Sequence, residues 1–290
     1  MSENFLTMAE GRVWRNVRGE GPPLIIVHGG PGAGHDYLCN LDQLADSHTV
    51  VLYDQLGCGR SDQVGDVGHW EVARFVDELD ALRDSLGFGR FSLLGHSWGG
   101  FVAIEYALAH PERLTALVLA STAASVADVE ASHGRLRDAL PSDIREPMRV
   151  AQAAGLRDDP RFTAGMTAFY RRHTCRMRPW PPSMLKSAEN QARSNVRQAQ
   201  LGADEFTIRG KLRGWSRRAD LSRITTPTWV TAGVDDQLGI ECWEPLVREI
   251  PNAVATLYGK SSHVPHLEEE GRYVSALRTF LGKSDHDISN

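Results

Sequence analysis

The chain of 290 residues is long enough to bury one large α/β core or two modest ones, so length alone leaves the domain count open. Its formal charge of −5 and isoelectric point near 6.1 supply no global attraction for nucleic acid or anionic lipid, so a small-molecule or peptide ligand is expected. Cys39, Cys58, Cys175 and Cys242 are widely spaced with no C-x-x-C pair, which argues for reduced thiols over a zinc site or a disulfide framework. The stretch Met1 to Thr7 lacks the basic start and apolar run of a secretory signal, and no segment is long enough to span a bilayer. A cytoplasmic protein without membrane or nucleic-acid partners is expected, with its oligomeric state left open.

The first strand signal is Leu24-Ile25-Ile26-Val27, an apolar run suited to burial on both faces of a parallel sheet. It runs into His28-Gly29-Gly30-Pro31-Gly32. A second strand, Thr49 to Tyr53, ends at Asp54 and gives way to the turn-rich stretch Gln55 to Asp62. From Trp70 to Leu86, apolar residues at Val72, Phe75, Val76, Leu79, Leu82 and Leu86 follow the period of an amphipathic helix, and Gly87 is placed to cap it. The run Phe91 to Leu94 predicts a strand, Phe101 to Ala107 a helix, and Leu114 to Leu119 another buried strand. This alternation predicts a largely parallel sheet covered by helices on both faces. Between about Ser125 and Trp215 the short aliphatic strands give way to Arg, Pro, Trp and helix-forming segments, which reads as a helical insertion. Strand signals return at Thr228 to Ala232 and Val254 to Leu257. A closing helix is expected from Glu268 to Leu281, followed by a frayed polar end from Gly282.

Between the third strand and its helix lies Gly95-His96-Ser97-Trp98-Gly99-Gly100. A serine at a sharp strand-to-helix turn sits in a strained backbone that exposes its hydroxyl, and glycines two residues to either side let neighbouring segments close around it. Ser97 is therefore the expected nucleophile. Such a serine needs a base, and the base needs an acid to fix its tautomer. In this type of site both follow the serine, the acid after a late strand and the histidine before the final helix. Gly233-Val234-Asp235-Asp236-Gln237 and Gly259-Lys260-Ser261-Ser262-His263 occupy those places. The G-x-x-D spacing favours Asp236 over Asp235, and His263 is favoured over His266, whose place beside the helix start suits capping or packing. The oxyanion donors are expected to be the amide of Trp98 and one from the glycine loop after the first strand, with Gly30 favoured over Gly29. His96 points away from the serine and is expected to pack or hydrogen-bond. The stretch Asp54 to Asp62 lacks the spacing of a phosphate loop, and the histidines lack an H-E-x-x-H arrangement, so no metal or other cofactor is expected.

Together these motifs resemble the proline iminopeptidase family of α/β-hydrolases, including its tricorn-interacting aminopeptidase type. The resemblance covers His28 to Gly32, His35 to Leu38, Asp54 to Ser61, the elbow, and the acid and histidine loops. It reaches the insertion at Trp180-Pro181-Pro182 and Asp204 to Gly210. It implies an α/β-hydrolase core at 1–123 and 216–290 and a substrate-selecting helical cap at 124–215. It also implies that Glu205 binds the free α-amine of the substrate. Where the archaeal tricorn-interacting type carries a second amine-binding glutamate directly after the triad acid, this chain has Gln237, whose amide oxygen accepts a hydrogen bond but brings no charge.

The resemblance implies a serine exopeptidase releasing an N-terminal proline or other small apolar residue from short peptides. Trp98 and other aromatic residues are candidates for the walls of its apolar first-residue pocket. An amino-acid amidase or esterase is the nearest alternative, because fold and triad do not specify the acyl group. A non-catalytic receptor on the same scaffold is the alternative from another class.

Overall fold

The computed structural model describes residues 4–65, 70–203 and 205–286. A short hairpin opens it: β1 (Phe5–Thr7) and β2 (Arg12–Arg18) pair antiparallel, and β2 then lies antiparallel to β4 (Thr49–Tyr53). Neither hairpin strand was expected from the sequence. In Arg-Val-Trp-Arg-Asn-Val-Arg only Val13 and Trp14 are buried, so β2 shows no apolar run and is recruited by pairing with its neighbour. The remaining strands are parallel: β3 (Pro23–Val27), β5 (Phe91–His96), β6 (Leu114–Ala120), β7 (Thr228–Gly233) and β8 (Ala253–Tyr258). The eight-stranded sheet has the order β1-β2-β4-β3-β5-β6-β7-β8.

Leu24 to Val27 are wholly buried, as a strand covered on both faces requires. Alternate residues serve two different layers, because successive side chains leave a strand on opposite faces. Ile25 and Val27 join a core cluster with Phe75, Leu79 and Leu82, whereas Leu24 and Ile26 join one with Leu38, Leu41 and Leu277. Each fully buried aliphatic side chain contributes about 1.5–3 kcal/mol of transfer free energy.

Helices α1 (Val72–Ser85) and α2 (Trp98–Ala109) pack on each other against one face, and α8 (Ile240–Glu249) follows further along it. Gly87, at φ +71°, follows the end of α1 and donates its amide to Asp84, as a capping glycine does. The opposite face carries a 3₁₀ segment (Asp36–Asp46) and the closing helix. The closing region divides into α9 (Pro265–Glu268) and α10 (Glu270–His286). Of the fraying expected over Gly282 to Asn290, the part up to His286 is continued helix and residues 287–290 lie outside the described residues; Leu281 is buried, anchoring the last turns.

Between β6 and β7 the chain forms α3 (Val126–Asp138), α4 (Ser142–Ala153), α5 (Pro160–His173), α6 (Pro182–Arg193) and α7 (Asn195–Leu201). Ser125, Asp159 and Ser194 cap α3, α5 and α7 by accepting a backbone N–H in the first turn. This segment has its own small core, in which Met148, Phe162, Phe169 and Phe206 meet. β6 and β7 are nonetheless adjacent in the sheet, with Leu117 opposite Thr228. No helix among the described residues is long and apolar enough to cross a membrane.

Candidate active site

Ser97 joins β5 to α2 at φ +56° and ψ −121°, a left-handed conformation that a residue with a Cβ adopts only when its surroundings impose it. The flanking glycines show what imposes it. A Cβ on Gly95 would lie 2.3 Å from the Gly99 carbonyl oxygen, and one on Gly99 would lie 2.2 Å from that of Val27. The turn is closed against β3 too tightly for any side chain at either position. Ser97 also donates its amide to Ala120 at 2.9 Å, and its carbonyl accepts from Thr122 Oγ1 at 2.7 Å.

After β7, Asp236 Oδ1 lies 2.7 Å from His263 Nδ1 and accepts the Leu238 amide at 2.8 Å. Both members of the pair are buried, in a setting where a carboxylate–imidazole contact is little screened. Asp235 instead forms an exposed ion pair with Arg176. His266 is buried, and its Nε2 donates to the Tyr37 carbonyl at 3.1 Å; burial pushes its pKa down to about 3. The geometry thus gives the Asp236–His263 contact to the favoured members of each pair.

The glycine loop after β3 offers two amides, and one is taken. Gly29 donates to the Tyr37 hydroxyl at 2.8 Å, whereas Gly30, at φ +121°, lines the cavity beside Ser97. Trp98 begins α2, where first-turn amides have no partner within the helix. Its indole donates to Gln55 Oε1 at 2.8 Å, and Gln55 in turn donates to the His28 carbonyl at 2.9 Å, tying the glycine loop to the elbow. Asp54 supports the same region by accepting from the His35 amide at 2.7 Å, the His35 ring at 2.8 Å and the Arg60 amide at 2.8 Å. Burial works against a charged His35, but the bond to Asp54, the contact with Cys39 and the Asp54 charge together outweigh it and raise the imidazole to about 9.

Two lobes open beside Ser97. The larger, about 210 Å³, is walled by Tyr37, Tyr170, Trp180, Met184 and Val264; the smaller, about 60 Å³, lies among Trp98, Phe101, Val129, Ile208 and Leu212. Gly30, Ser97, Glu205 and Gln237 border both. Sequence reasoning named all four, but it missed what holds the last two. Glu205 Oε1 accepts from the Tyr170 hydroxyl at 2.9 Å and from Arg197 at 2.8 Å. Burial pushes this carboxyl up, yet the Arg197 guanidinium and the two hydrogen bonds more than offset that and bring it below its usual range. Gln237 Oε1 accepts from Thr174 Oγ1 at 2.7 Å. Tyr170 and Thr174 lie one turn apart at the end of α5 and Arg197 lies in α7, and no spacing in the sequence marks them as neighbours of the site.

A strained serine, a buried carboxylate–imidazole pair and a glycine loop meet at the ends of parallel strands. Residues 22–270 match the α/β-hydrolase fold family. The proline iminopeptidase of Heyndrickxia coagulans is 31% identical over 97% of this chain and 98% of its own length. The chain belongs to the proline iminopeptidase family of α/β hydrolases. Among solved structures, the Mycobacterium smegmatis proline iminopeptidase superposes with a TM-score of 0.92 at 32% identity, covering 98% of this chain and 99% of that one. VinJ superposes with a TM-score of 0.92 at 35% identity, covering 96% and 97% respectively. The likeness to these relatives spans sheet and helical segment alike.

Proposed function

We propose that the chain is a serine exopeptidase that removes one N-terminal residue, proline or another small apolar residue, from short peptides bearing a free amine. The observation that carries this reading is Glu205: an ionised carboxylate borders both lobes together with Ser97. A substrate ammonium held there places the first carbonyl, and no later one, at the nucleophile. A charge-assisted hydrogen bond of this kind contributes about 1.5–3 kcal/mol. The helical segment, 124–215, then acts as a cap that selects substrate, and 1–123 with 216–290 form the catalytic core.

In this mechanism Ser97 Oγ attacks the first carbonyl carbon while His263 Nε2 takes its proton. Asp236 holds Nδ1 protonated and stabilises the imidazolium that results. The amides of Trp98 and Gly30 receive the negative oxygen. His263 returns the proton to the leaving amine, and a water then attacks the acyl-enzyme by the same route. The small apolar lobe suits the first side chain, and the larger one suits the rest of the peptide. Because Gln237 directs its carbonyl oxygen at Thr174, amine recognition rests chiefly on Glu205.

The test compares proline anilide with its N-acetylated form, alongside amino-acid amides and simple esters. Strong preference for the free amine is expected, and equal cleavage of free and blocked substrates would remove the anchoring role of Glu205. A serine-directed phosphonate should label the folded protein and leave Ser97→Ala unlabelled. Failure to label the unmodified protein would sink the enzyme reading.

A further inference from the structure

The elbow, the glycine loop and the histidine loop must agree in position before Ser97 can react, and one side chain connects them. Tyr37, buried in the 3₁₀ segment, has its hydroxyl 2.8 Å from the Gly29 nitrogen and 2.7 Å from His96 Nδ1. The other nitrogen of His96, Nε2, lies 2.8 Å from the main-chain carbonyl of His263. Every hydrogen in this chain has one permitted direction. The His263 carbonyl can only accept, so His96 Nε2 carries a proton. Burial, with His263 and His266 close by, pushes the His96 imidazole well below its usual range, so the ring is neutral and Nδ1 is a bare acceptor. The Tyr37 hydroxyl therefore donates to His96, and its oxygen receives the Gly29 N–H. The Tyr37 main chain is fixed as well, because its carbonyl accepts from His266 Nε2.

We propose that Tyr37 is a positioning residue for the reaction, setting the glycine loop directly and the His263 main chain through His96. The proposal rests on the assignment of Ser97, Asp236 and His263 made above. Occupying the Gly29 amide leaves Gly30 to face the oxyanion, and fixing the His263 backbone aims the ring that must return a proton to the leaving amine. No step is added to the chemistry. The chain of bonds holds its parts within the tolerance at which a misplacement of about 1 Å costs roughly 100-fold in rate.

Tyr37→Phe removes only the hydroxyl. Turnover per active site, counted by phosphonate titration, is expected to fall about 10- to 100-fold on proline anilide while KM moves by less than about 3-fold. The loss should be several-fold smaller on a proline phenyl ester, because phenolate departs without a proton from His263. His96→Phe, which breaks the same chain at its middle, should show the same anilide-over-ester discrimination, so either folded variant suffices. Unchanged turnover per titrated site overturns the proposal, as does an equal loss on both substrates. A wild type that phosphonate does not label defeats the serine-hydrolase reading instead, which separates the two failures.

Discussion

The ends of the parallel strands and the helical cap hold their polar groups in different ways. Around the strands the chain path itself does the holding: Ser97 is strained into place by glycine contacts, and Asp236 is fixed by the Leu238 amide. In the cap, side chains hold side chains. Glu205 depends on Tyr170 and Arg197, and Thr174 of the helical segment reaches across to Gln237 in the loop after β7. A backbone-held group resists sequence drift as long as Gly95 and Gly99 are kept, because its remaining partners are largely main-chain atoms. A side-chain-held group changes with a single substitution, so the reaction geometry and the substrate choice proposed above can vary separately.

Substitutions can break this comparison at either end. The largest effect is expected at Asp236→Asn, which should lower kcat about 10⁴-fold by fixing the wrong imidazole tautomer. Asp235→Asn, which loses only an exposed ion pair, should stay within about 5-fold of wild type in kcat/KM. Equal losses in the two variants would refute the choice of acid. Next comes Glu205→Gln, expected to lower kcat/KM about 10- to 100-fold on free-amine anilides and to leave N-acetylated ones unchanged. Parallel losses on both substrates would place Glu205 in the scaffold.

Gln237→Glu sharpens the contrast further. Thr174 can donate to either side chain, so the added charge should reach the amine and lower KM for free-amine substrates about 3- to 10-fold. An unchanged KM would show that this position does not meet the amine. The smallest effect concerns stability. His35 titrates near 9 in the folded protein, above its unfolded value, so its pairing with Asp54 stabilises fully below about pH 6.5 and loses that contribution as pH rises through 9. Urea midpoints of wild type and His35→Gln should converge over that range. A constant gap would mean that the bond stabilises without charge.

The catalytic loops were legible in the sequence because strand, turn and helix each leave a local signature. Leu24 to Val27 reads as a buried strand by composition, and the glycines around Ser97 mark a turn by spacing. β2 was illegible because its pairing with β4 supplies what its own residues do not. The partners of Glu205 and the link from Tyr37 to His96 were illegible for a related reason. Tyr170 and Arg197 meet Glu205 only after α5 and α7 have packed, and Tyr37 reaches His96 across 59 positions of sequence. Such contacts follow from the tertiary path and have no period or motif to announce them.

The adjacency of β6 and β7 has a consequence for how the molecule assembles. Pairing Ala120 with Thr231 closes a loop containing the whole helical segment, from Ser121 to Val230. For a flexible loop of roughly 110 residues the length-dependent entropy, (3/2)RT ln n, is about 4 kcal/mol. A cap that has already collapsed around Phe162, Phe169 and Phe206 presents its two ends as a much shorter effective loop. Early formation of that small aromatic cluster would therefore favour completion of the sheet, giving the helical segment a part in folding order that is separate from the part in choosing substrate proposed for it.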